Sequence, residues 1–76
     1  MDWRSRIVAH PDVLVGKPVI QGTRISVELI MDLLAAGYSA EQIIEQYDHL
    51  TREDIQACLA YAKDVVQSER VYAIKP

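Results

Sequence analysis

The chain has one cysteine, Cys58, so it can form no internal disulfide. Its two histidines, His10 and His49, fall in turns far apart in sequence, without an acid–base partner. Together with Cys58 they are too few for a structural zinc site, which takes a full tetrahedral set of soft ligands. No apolar run approaches bilayer-spanning length. Met1-Asp2-Trp3-Arg4 is not followed by a signal-peptide core. The expectation is a soluble, cytoplasmic protein with no membrane contact. Paired catalytic residues, a phosphate loop and a metal set are also missing, so an enzyme is disfavoured and no cofactor is expected. Asp12, Glu28 and Asp32 are dispersed over a turn and a helix and read as solvated acids, not a metal cluster.

What is present is one small domain, residues 1–76, with half its residues apolar and a quarter charged. A chain this short buries little surface and gains stability from a disulfide, a metal or a partner. With the first two disfavoured, a protein partner is expected, including a second copy of the chain. Charge is uneven. Arg4, Arg6, Lys17 and Arg24 give residues 1–30 a net charge of +1, while residues 31–76 carry −4. Phosphate contacts dominate DNA affinity, so any DNA contact is expected in the N-terminal third.

Gly16-Lys17-Pro18-Val19-Ile20-Gln21-Gly22-Thr23-Arg24-Ile25-Ser26-Val27 is the least generic segment. It holds two of the three glycines and two of the eight basic side chains. Arg6-Ile7-Val8 and Pro18-Val19-Ile20 are β-prone runs, and Pro11 and Pro18 limit them to short or edge strands. Gly22 is placed for a positive φ in a turn joining Val19-Ile20 to Arg24-Ile25. Residues 1–25 therefore read as short strands and turns, with a small hairpin.

Residues 26–67 read as three helices. Ser26 caps the first and Gly37 ends it. Only Glu28 and Asp32 interrupt its apolar residues, so it is either the buried centre of the domain or a contact with another chain. The next two helices repeat one N-terminal formula. Ser39 with Gln42, and Thr51 with Asp54, form capping boxes; Tyr38 and Leu50 are placed to staple onto Ile43 and Ile55. The second helix spans about 40–47. The third spans about 52–67, with Ile55, Cys58, Leu59, Ala62 and Val66 as its apolar stripe. Tyr38, Tyr47 and Tyr61 read as core or half-buried residues, and Cys58 as a buried, inert thiol. A short helix, a tight corner and a longer helix, preceded by another helix, form the pattern of a three-helix helix-turn-helix domain. The tail, 68–76, offers Val71, Tyr72 and Ile74 among Arg70 and Lys75, which suits a short strand added to a partner's sheet, docked in cis or in trans.

Lys17 through Val27, with Gly37 and Tyr47…Leu50-Thr51…Asp54-Ile55 downstream, closely resembles the Domain of Unknown Function 433 family. The lead-in from His10-Pro11-Asp12 to Gly16 resembles it too, and the likeness runs from about Ile7 to Val66. One departure is Val15, where the family often has a second glycine. The resemblance implies a mainly α, homeodomain-like helix-turn-helix fold with short N-terminal strands. It also implies the antitoxin of a type II toxin–antitoxin pair, whose usual partner is a PIN-like ribonuclease. Such antitoxins block the nuclease and often repress their own operon, so operator DNA and a homodimer are further expected partners.

Lys17, Arg24 and Arg52 are the candidates for contacting DNA or an acidic partner, being the basic residues nearest the ordered turns. Against this, both Lys17 and Arg24 can serve the scaffold, with Arg24 tying the turn to Glu28 or Asp32. The third helix occupies the recognition position, exposing Arg52, Glu53, Gln56, Lys63 and Asp64. Its acids lie where phosphates would pass, so protein contact is at least as well supported as base reading. Trp3 can dock on a second subunit or fold back on its own domain. Val71, Tyr72 and Ile74 are the candidates for toxin or dimer contact. The expected mechanism is occlusion. A stand-alone helix-turn-helix transcriptional regulator and a pure dimerisation module are the alternatives.

Overall fold

The fold comes from a computed structural model, described for residues 1–68. Val71, Tyr72 and Ile74 lie outside the described residues. A single 3-10 turn, Trp3–Ser5, leads into strand β1, Ile7–Val8. A tight turn at Leu14–Gly16 precedes β2, Val19–Ile20. Helices α1 (Val27–Ala35), α2 (Ala40–Gln46) and α3 (Arg52–Ser68) complete a mainly helical domain.

The strands pair antiparallel, Ile7 opposite Ile20 and Val8 opposite Val19. The expected turn at Gly22 is present, with φ +82° and the Ile20 N–H donating to the Ile25 carbonyl at 2.9 Å. Beyond it, however, the chain makes only an isolated bridge, Val19 to Ser26. The regular partner of β2 is β1. That register sets Ile7 and Ile20 side by side in the core, joined by Ile25, Val27, Ile30, Ile43, Leu50, Ile55, Ala57 and Cys58.

Local hydrogen bonds fix the helix ends as the sequence indicates. Ser26 Oγ accepts from Leu29 N–H at 3.0 Å. The Ser39–Gln42 box closes in both directions, at 2.8 and 3.1 Å. So does Thr51–Asp54, at 3.0 and 3.2 Å. Gly37, φ +100°, ends α1 in a Schellman motif: its N–H donates to Leu34 O while Tyr38 N–H reaches Leu33 O. Leu50 and Ile55 share the core as their staple requires. Tyr38 does not follow Ile43 inside; it remains 40% exposed. Tyr47 and Tyr61 are partly buried.

Two helices depart from the expected burial. In α1 only Val27 and Ile30 are fully buried, while Leu29, Met31, Leu33 and Leu34 are partly covered. In α3 the inward face is Asp54, Ile55, Ala57 and Cys58. Leu59 is 42% and Val66 66% exposed. A period of 3.6 identified a stripe, but α3 runs past the layer that could cover its outer end.

Candidate functional site

The N-terminal segment folds back on α3 of its own chain. The Trp3 indole N–H donates to Asp64 Oδ2 at 2.7 Å, and the ring meets Tyr61 edge-on at 4.8 Å between centroids. Arg4 lies over the Trp3 ring, 4.7 Å from its centroid. Arg6 donates to Asp54 Oδ1 at 3.1 Å, so the acid that caps α3 also anchors the segment. A buried acid calls for a cation, and Arg6 supplies it from 48 residues away. Neither Trp3 nor Arg6 carried a local signal for its partner.

The candidate basic residues do not converge. Lys17 Nζ lies 2.7 Å from Glu28 Oε1, at the start of α1. This hydrogen bond raises the lysine pKa and lowers that of the glutamate. Arg52 pairs with Glu41 of α2. Arg24 reaches neither Glu28 nor Asp32 as expected; Lys17 has taken Glu28, and among the described residues Arg24 forms no ion pair.

The outer face of α3 is therefore charge-compensated. Glu41 neutralises Arg52, and Asp64 lies 3.8 Å from Lys63. Met1 lines one hollow with Gln56, Leu59, Ala60, Lys63 and Asp64, so the N-terminal segment also flanks the face that would have to enter a groove of DNA.

A second surface is apolar. Pro18, Val27 and Glu28 on one side, and Tyr61, Ala62, Val65 and Val66 of α3 on the other, border a groove of about 290 Å³. It runs along the outer end of α3, where Val65 and Val66 are exposed. Cys58 contributes to neither surface: it is buried, and loss of water around it, followed by the Asp54 charge, pushes its pKa up to about 12. Among the described residues no group of acids, histidines and cysteine could hold a metal ion.

These features define a small, mainly helical domain with a strand-paired N-terminus and two candidate binding surfaces. The chain belongs to the family described as "Protein of unknown function (DUF433)", which matches residues 7–62. It is 37% identical over 60 residues to "Uncharacterized protein y4eO" of Sinorhizobium fredii (strain NBRC 101917 / NGR234), covering 79% of this chain and 27% of that protein. Its fold matches the crystal structure of a DUF433 member from Anabaena variabilis ATCC 29413 with a TM-score of 0.77 and 27% identity. That match covers 82% of this chain and 61% of the solved one. In both cases the chain spans less than two thirds of its relative.

Proposed function

We propose that the chain is an antitoxin that binds a PIN-like ribonuclease and neutralises it by covering it. The observation that supports a protein-binding role is the apolar groove along α3, continuous with the exposed Val65 and Val66. An exposed apolar surface on so small a domain favours burial against a protein. The half-covered side chains of α1 support the same reading and suit a homodimer. Operator binding is the weaker half of the proposal. Lys17, Arg52 and Lys63 each have an acid beside them, and the chain carries a net charge of −3. Counterion release therefore offers little affinity for a phosphate backbone.

The test is co-expression with the product of the adjacent open reading frame, which the proposal expects to be a PIN-like ribonuclease. Stable co-purification, weakened at least tenfold by Val66→Asp in a folded variant, is the expected result. Failure of the two to associate would remove the antitoxin reading. Mobility shifts over a salt series address the DNA half, where a weak, salt-sensitive shift is expected for the chain alone.

A further inference from the structure

We infer that a cleft beneath the Gly22–Arg24 turn is a binding site for a peptide segment pairing a carboxylate with an apolar side chain. The inference deepens the protein-binding reading above and rests on it. The cleft holds about 440 Å³. Val8, Val13 and Val19 contribute its apolar part, and His10, Thr23 and Arg24 are among its polar lining; no acid lines it. Pockets of this kind, mostly apolar with a few convergent polar groups, orient small ligands or single side chains.

Arg24 sets the charge of the ligand. Arg4, Arg6, Lys17, Arg52 and Lys63 each have a carboxylate within ion-pair reach, whereas Arg24 has none among the described residues. It is also exposed. An unpaired guanidinium offers a forked set of donors that matches a carboxylate.

The turn that carries Arg24 is rigidly built. Thr23 Oγ1 donates to Ile20 O at 2.7 Å and accepts from Ile25 N–H at 2.9 Å. The Thr23 N–H also reaches Ile20 O, at 3.0 Å. Gly22 supplies the positive φ, while a Cβ there would meet nothing within 4 Å, so its role is conformational and not spatial. A preformed turn lowers the ordering cost of binding.

The same geometry disfavours a nucleic acid. A phosphate backbone is held by several cations along its path. Among the described residues that line the cleft, Arg24 is a cation without an ion pair beside apolar side chains, and Lys17 is already held by Glu28. A single negative charge beside an apolar group fits both features.

The experiment is an NMR titration of the isotope-labelled full chain, which needs no ribonuclease. The probes are N-acetyl-leucyl-glutamyl amide, its glutaminyl counterpart, inorganic phosphate and a dithymidine dinucleotide. The glutamyl peptide is expected to shift the amides of Val8, His10, Val13 and Arg24 with millimolar affinity. The glutaminyl peptide and Arg24→Gln should each weaken this at least fivefold, with partial recovery in Arg24→Lys and no change in Lys17→Gln. Equal shifts from both peptides, retention in Arg24→Gln, no shift at these amides, or tighter binding of phosphate or the dinucleotide would each overturn the inference. A chain that takes the peptide but binds no ribonuclease would refute the antitoxin reading while leaving the cleft's chemistry in place.

Discussion

Val15 holds a left-handed backbone, φ 56° and ψ 38°, that its branched side chain disfavours. It is 94% exposed, so no packing offsets the strain. The left-handed region costs an L-residue roughly 1–2 kcal/mol, and glycine's greater freedom in the unfolded chain returns about 0.5–1 of that. Val15→Gly is therefore expected to stabilise the domain by about 0.5–1 kcal/mol, seen as a higher urea midpoint at unchanged slope. A lower midpoint would show that position 15 is not strained. Asp54 is the opposite case, since Thr51 N–H and Arg6 both donate to its buried carboxylate. Asp54→Ala should cost about 2–3 kcal/mol, and Asp54→Asn, which keeps an acceptor for the cap, distinctly less. Cys58 gives a pH dependence with a definite sign. Its folded value of about 12 exceeds the ordinary 9.0, so the native state keeps a proton that the unfolded state releases between those values. Stability should fall as pH rises through that window. Urea unfolding at successive alkaline pH values, compared with Cys58→Ala, isolates the contribution.

Among the elements, α3 depends on the N-terminal segment. Trp3 is half-covered, packs against Tyr61 and bonds to Asp64 near the outer end of the helix. Trp3→Ala should cost about 2 kcal/mol and speed amide exchange around Tyr61–Val65 more than around Ile55. Uniform acceleration along α3 would mean that the segment does not hold that end. The same helix shows what was legible from sequence. Its cap, Thr51 with Asp54, was readable because capping is a matter of residues three apart. The partners of Trp3 and Arg6 were not, because they lie 61 and 48 residues away and no local rule pairs them. Strand pairing divided in the same way. The Gly22 turn follows from its own residues, whereas the choice of β1 as the ladder partner follows from Ile7 and Ile20 meeting in the core. For the sites, sequence singled out Lys17, Arg24 and Arg52 alike. Only the fold distinguished the two with acids beside them from the one without.

At the scale of the whole molecule, the domain is elongated. Its radius of gyration is 13.6 Å and its extents are 45 × 30 × 22 Å. A compact chain of this length would have a radius near 11 Å, by about 2.2·N^0.38. The end of α3 and the flank of α1 lack a full covering layer, and the small core provides little reserve of stability. A partner that buries these surfaces should raise the apparent stability of the chain by mass action. That is the thermodynamic form of the proposed antitoxin role. The most direct measurement is RNA cleavage by the PIN-like ribonuclease that the proposal expects from the adjacent reading frame, titrated with this chain. The expected result is loss of cleavage that saturates at a fixed molar ratio, with Val66→Asp shifting the titration to higher concentrations. Cleavage that persists unchanged at a large excess of the folded chain would contradict the account.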